Sequence, residues 1–261
     1  MFRNAKDDED KVNFNKNDFL FICGPCAVES ADQMNAILNL PFAPTLIRGG
    51  IYKMRTNKNA FQGLGTAGIK LIKEIKNHHP MNFVTEVTDP RQIDTLLPIV
   101  TCFQVGARNM YNYELLKELA NYGLPVILKR GFSATINEWL GAAEYLGNLG
   151  EDKIILCERG VRSFDNKLRN LLDLGSVIYL KKNTNFKVIV DPSHAMGDRK
   201  YVPDASVAAL AAGADGIIVE VHPDPDKALS DGQQSLDPII VNELVEKLRE
   251  LAPHFNKILR V

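Results

Sequence analysis

Eight short runs of β-branched and apolar residues recur along the chain, and each ends in residues able to do chemistry. They are FLFICG (19–24), TLIRGG (45–50), NFVTEV (82–87), CFQVGA (102–107), PVILKRG (125–131), KIILCERG (153–160), KVIVDPSH (187–194) and GIIVEVH (216–222). Several are nearly continuous apolar stretches, the pattern of parallel strands covered on both faces. Helix-like segments separate them. YELLKELANYG (113–123) carries Leu115, Leu116 and Leu119 on one stripe and stops at a glycine. Residues 136–150 and 205–215 read similarly, and 238–251 reads as a closing helix. Eight strand–helix units in 261 residues point to an α/β fold, a TIM (β/α)8 barrel over 18–261. An open doubly wound sheet shares the alternation, but no G-x-G-x-x-G follows the first run. Residues 1–17, rich in Asn, Lys and Asp, read as a short, loosely packed N-terminal extension.

Lys and Arg total 31 against 32 Asp and Glu, so bulk charge offers no pull toward nucleic acid or anionic lipid, and neither is expected as a partner. No apolar run has membrane-spanning length, and the start lacks a signal-peptide core. Four cysteines in a chain this long do not form a disulfide framework, which favours a reducing, cytoplasmic setting. Any positive charge with a task must be local.

The ends of the runs carry, in order, Cys26, Arg48 with Lys53, Glu86, Arg108, Lys129 with Arg130, Glu158 with Arg159, Asp191 with His194, and Glu220 with His222. A barrel's active site is built from those ends and the loops after them. Ionisable groups gathered there are costly unless they meet one another or a ligand. An enzyme is the expectation.

Cys26 belongs to Cys23-Gly-Pro-Cys26, which admits three readings. A dithiol redox centre needs a small fold and a thiol of lowered pKa. A buried thiol is a small hydrophobe. A metal ligand needs partners, which His194, Glu220 and Asp231 would supply from or after the last two strands. One thiolate, one imidazole and two carboxylates would accept Mn²⁺, Fe²⁺, Co²⁺ or Zn²⁺. Arg48, Lys53, Arg55, Arg108, Lys129, Arg130, Arg159 and Arg162 crowd the loops after strands two, four, five and six. Gathered cations repel and call for anions, and arginine's fork matches phosphate or carboxylate. The bland alternative is a rim of charges paired with acids such as Glu86 and Glu158.

The segments GPCAVES, IRGGIYKMRT with FQGLG, QVGARNM, LKRG, LCERGVRSF, VDPSHAMGDR and EVHPDPDKALSDGQQSL together closely resemble the 3-deoxy-D-arabino-heptulosonate 7-phosphate (DAHP) synthase family in its short, barrel-only form. That family shares a superfamily with 3-deoxy-D-manno-octulosonate 8-phosphate (KDO8P) synthase. The resemblance runs from about residue 18 to near the end. It implies condensation of phosphoenolpyruvate with erythrose 4-phosphate, the first step of the shikimate pathway. It places metal ligands at Cys26, His194, Glu220 and Asp231, and phosphoenolpyruvate contacts at Arg48, Lys53, Arg108, Lys129 and Arg159. The aldose-phosphate motif Lys-Pro-Arg-Thr falls on Lys53-Met54-Arg55-Thr56, making Arg55 and Thr56 the grip on the second phosphate. Met54 departs from the usual proline. The Lys-Ala-Asn-Arg-Ser form of the sister enzyme is missing, which favours erythrose 4-phosphate over arabinose 5-phosphate.

Lys53, Glu86, Lys129 and His194 are the catalytic candidates implied. The resemblance also implies a homodimer or homotetramer. No segment resembles an appended regulatory domain, so little inhibition by aromatic amino acids is expected. Oxidation would join Cys23 to Cys26 if the Gly-Pro turn brings them within reach.

Overall fold

In a computed structural model describing residues 14–55 and 57–261, each of the eight runs forms a strand. They are β1 (Asp18–Gly24), β2 (Leu46–Arg48), β3 (Phe83–Glu86), β4 (Cys102–Val105), β5 (Val126–Lys129), β6 (Ile154–Glu158), β7 (Lys187–Val190) and β8 (Gly216–Glu220). All pair in parallel with their neighbours in chain order, and β1 joins both β2 and β8, so the sheet closes into a TIM barrel. The register at the seam sets Gly24 opposite Glu220, at the mouth where the strands end.

Alternation along the strands builds two apolar layers. Leu20, Ile22, Leu46, Val84, Cys102, Ile127, Ile155, Cys157, Ile189 and Ile218 fill the barrel, and Phe14 packs against them from the N-terminal end. The other face, with Phe19, Phe21, Cys23, Phe83, Phe103 and Leu156, packs under the helices. Three of the four cysteines thus fill core space. Burial pushes the Cys23 and Cys102 thiols up to about 12, the opposite of a redox-active thiol.

The covering helices are α1 (Ala31–Leu38), α2 (Thr66–His78), α3 (Ile93–Leu96), α4 (Tyr113–Leu119), α5 (Ile136–Glu144), α6 (Leu174–Asn183), α7 (Pro192–Met196), α8 (Val202–Ala211) and α9 (Pro238–Leu251). Capping explains several boundaries. Thr135 and Glu138 form a reciprocal capping box at α5, and Asp237 accepts from Ile239 N and Ile240 N ahead of Pro238 at α9. The helix expected over 136–150 stops at Glu144, and a 3₁₀ turn at Gly147–Leu149 completes it. The one expected from 205 begins at Val202, because Pro203 suits a first helical turn.

One strand was not anticipated. β9 (Ile258–Arg260) pairs beside β1, with Ile258 opposite Asp18. Thr45 Oγ1 donates to Arg260 O at 2.6 Å, which seats this tail below β2. At the same end of the barrel buried Asp215 accepts from Lys181 Nζ (2.6 Å), Lys257 Nζ (2.8 Å) and Val188 N (2.9 Å). Among the described residues no helix is long and apolar enough to cross a membrane.

Candidate active site

Gly24 answers part of the question posed by the Cys-Gly-Pro-Cys sequence. Its φ is +145°, and a Cβ there would lie 2.2 Å from the carbonyl oxygen of Arg48. The glycine lets β1 run against β2, and the chain then bends Cys26 over the mouth. Cys23 faces the helices while Cys26 faces the mouth, and both thiols are free.

Cys26 Sγ donates to Asp231 Oδ2 at 3.0 Å and lies 3.0 Å from Ser230 Oγ. Asp231 reaches it from a left-handed backbone (φ +53°), a conformation uncommon for a non-glycine residue. Glu220, the last residue of β8, is wholly buried; its Oε1 accepts from Arg48 Nη1 at 2.9 Å and its Oε2 from Gln234 Nε2 at 2.6 Å. One ligand atom from each of Cys26, Glu220 and Asp231 lies within 4.8 Å of the other two. His194, on α7, stands beside this trio rather than in it, with Nε2 3.4 Å from Glu220 Oε1 and Nδ1 2.7 Å from Asp191 Oδ2. Burial, then the charge of Glu220, pushes the Cys26 thiol up to about 12. Burial also lowers His194 below the ordinary histidine range, which favours the neutral ring.

The cations divide into two groups. Lys53 Nζ donates to the carbonyl of Cys26 (3.1 Å) and lies 3.9 Å from Glu86 Oε2. Arg55 Nη1 donates to Ser230 Oγ (2.8 Å) and to Asp231 Oδ2 (3.3 Å). Lys129 Nζ lies 2.5 Å from Asp191 Oδ2. Arg130 is buried against Glu158 (2.8 Å), Asp173 (2.9 Å) and Ser176 (3.2 Å), so its place in the anion-binding set is replaced by a structural one. Among the described residues, Arg108 and Arg159 pair with no carboxylate, and the buried Arg48 Nε has no partner. Thr56 lies outside the described residues. Glu86 lies against Gly106, where a Cβ would meet Oε1 at 2.0 Å and oblige the carboxylate to shift.

Three contributors went unread in the sequence, and a fourth, Asp191, was read only as a strand-end charge. Asp191 caps α7 by accepting from His194 N (2.9 Å) and joins Lys129 to His194. Gln234 holds Glu220 and also accepts from Arg169 Nη1. Ser230 spans Cys26 and Arg55, and Arg169 lies 3.7 Å from Asp231 Oδ1. Gln234 and Ser230 are neutral, and their only sequence signal is nearness to Asp231.

A closed parallel barrel with its charge gathered at the C-terminal mouth, part of it unpaired, belongs to the class of TIM-barrel enzymes that act on small anions. The profile of the DAHP synthetase I family matches residues 4–257, and the chain belongs to that family. A phospho-2-dehydro-3-deoxyheptonate aldolase of Thermotoga maritima is 44% identical over 236 residues, which are 90% of this chain and 70% of that protein. The crystal structure of the phospho-2-dehydro-3-deoxyheptonate aldolase (DAHP synthase) from that organism superposes with a TM-score of 0.88 at 42% identity, covering 95% of this chain and 73% of that one. A 2-dehydro-3-deoxyphosphooctonate aldolase of Dichelobacter nodosus is 28% identical, over 91% of this chain and 92% of that protein.

Proposed function

We propose that the chain is a 3-deoxy-7-phosphoheptulonate synthase. It condenses phosphoenolpyruvate, erythrose 4-phosphate and water to DAHP and inorganic phosphate, using one divalent metal ion held by Cys26, His194, Glu220 and Asp231. The reading rests on the thiol–carboxylate trio within 4.8 Å, set in a mouth that also holds Arg108 and Arg159, which pair with no carboxylate among the described residues. The donor set suits a cation. The Cys26 thiol keeps its proton and donates it in a hydrogen bond to Asp231, and metal binding releases such a proton. Soft sulfur with harder oxygen and nitrogen admits Mn²⁺, Fe²⁺, Co²⁺ or Zn²⁺. When bound, the ion supplies Lewis-acid polarisation of an aldehyde oxygen.

The rest of the chemistry falls to the chain's own groups. C3 of phosphoenolpyruvate forms the new carbon–carbon bond to the aldehyde carbon, water adds at C2, and the C2–O bond breaks to release phosphate. Arg108, Arg159, Arg48, Lys53 and Lys129 would fix the phosphoenolpyruvate phosphate and carboxylate. Arg55, with Thr56, would hold the aldose phosphate on the other flank of Asp231. Fixing both anions for attack supplies several kcal/mol of the barrier. Glu86, 3.9 Å from Lys53, would position the water and take its proton, while Lys129 and His194, joined through Asp191, would return one. The 44% against 28% identities favour the seven-carbon product over the eight-carbon one. Four free cysteines fit a cytoplasmic enzyme.

The deciding experiment supplies phosphoenolpyruvate with erythrose 4-phosphate or with arabinose 5-phosphate and follows phosphate release. Turnover with the four-carbon sugar, lost to a chelator and restored by Mn²⁺, is expected. Turnover with arabinose 5-phosphate alone would overturn the assignment.

A further inference from the structure

Three arginines converge on one aromatic ring at the mouth. Phe132 lies in the loop after β5 and is half-buried. The guanidinium carbon of Arg159 lies 4.7 Å from its ring centroid, that of Arg162 5.2 Å and that of Arg108 5.3 Å. Arg108 comes from the loop after β4, and Arg159 and Arg162 from the loop after β6, so the ring stands between two flanking loops. Arg159 is buried at the base, while Arg108 and Arg162 are exposed at the rim.

Among the described residues none of the three makes an ion pair; the one hydrogen bond from their side chains is a long 3.4 Å contact from Arg159 Nη1 to Gly160 O. Arg130, 5.8 Å from the Trp139 ring, differs in having both Glu158 and Asp173 as partners. Three like charges within reach of one ring repel, and a protein ordinarily offsets such charge with carboxylates. Here the electron-rich ring does part of that work. A ring differs from a carboxylate in one functional respect: it attracts cations without competing with an incoming anion for their N–H groups.

The ring is itself held in place. Arg162 N donates to Phe132 O at 2.6 Å, and Gly131 N to Met110 Sδ at 3.1 Å, so backbone contacts tie its loop to both neighbours.

We propose that Phe132 is a positioning residue for the phosphate of phosphoenolpyruvate, and that its ring gathers Arg108, Arg159 and Arg162 into a three-arginine anion cradle of which Arg162 is the outer member. The proposal rests on the reading that this mouth binds phosphoenolpyruvate. It adds an aromatic support and gives Arg162, one of the cations gathered at the mouth, a place on that phosphate.

The test titrates inorganic phosphate into the metal-loaded protein by calorimetry, which reads the cradle without any turnover. Phe132→Leu should weaken phosphate binding about tenfold, the equivalent of about 1.4 kcal/mol. Phe132→Tyr should restore it to within about twofold, and Arg162→Gln should weaken it about fivefold. In steady-state assays the Phe132→Leu loss should fall on KM for phosphoenolpyruvate rather than on KM for erythrose 4-phosphate. Wild-type phosphate affinity in a folded Phe132→Leu protein would overturn the proposal, as would a failure of tyrosine to rescue. If the chain binds phosphate as described but turns over neither sugar, the cradle stands and the assigned reaction falls.

Discussion

The two ends of the barrel handle buried charge in opposite ways. At the N-terminal end, Asp215 takes two lysines and a backbone N–H, and its oxygens are fully engaged within the fold. At the C-terminal mouth, among the described residues, Arg48 Nε has no partner, Arg108, Arg159 and Arg162 form no ion pair, and the Cys26 thiol donates a hydrogen bond to Asp231. The same residue types appear at both ends. Charge that is internally closed contributes to stability, whereas charge left open is an unfinished interaction that a ligand completes. In a TIM barrel the two ends divide these tasks as a rule.

The comparison breaks first at Cys26. Cys26→Ala should lose the bound divalent ion, measured by metal analysis, and lower turnover about a thousandfold, equivalent to about 4 kcal/mol of barrier. A variant with full metal content and full activity would place the open chemistry elsewhere. Asp215→Asn should do the reverse. Removing the anion between two lysines should cost about 2–3 kcal/mol in denaturant unfolding, less than a fully buried pair because both lysines keep some solvent contact. Activity of the folded fraction should hold within about twofold, and a large kcat loss would erase the division of labour.

Arg159→Lys keeps the charge but loses the planar fork. It should raise KM for phosphoenolpyruvate about thirtyfold, equivalent to about 2 kcal/mol, with little change in melting temperature. The smallest effect belongs to Lys187, at the start of β7, which donates to Asn15 O at 3.1 Å. Burial lowers its pKa despite the pull of Asp215, and nearby Lys181 and Lys257 lower it further. The folded state therefore releases this proton more readily than the unfolded chain. The resulting penalty is present at neutral pH and fades as pH rises through the lowered value toward the ordinary lysine range near about 10.4. Lys187→Met should be more stable than wild type by under about 1 kcal/mol at pH 7, with the gap closing by pH 10 in paired unfolding curves. A gap that widens with pH would mean that Lys187 is held by its partners instead.

Much of this was legible in one dimension because a barrel repeats a local rule. Each strand is a short run, each functional group follows at its end, and neighbours in sequence are neighbours in space. Glu86, Lys129, Arg159 and Glu220 all appear at strand ends for that reason. What stayed hidden depends on pairing across the mouth. Arg130 and Arg159 follow β5 and β6 with equal promise, yet Glu158 and Asp173 close off the first and leave the second open. β9 is three residues with two exposed side chains, too short to carry a period, and is made by its edge contact with β1.

The eight strands and the supply of a thiol, an imidazole, carboxylates and cations at their ends follow from the residues alone, because hydrophobic spacing and position along a strand are local properties. Closure of the sheet shows only in the folded chain. So does which of those groups meet. Asp191 joining Lys129 to His194, Gln234 steadying Glu220 and three arginines sharing Phe132 each depend on loops far apart in the chain. Electrostatic pairing acts over a few ångströms, and only the folded backbone sets those distances.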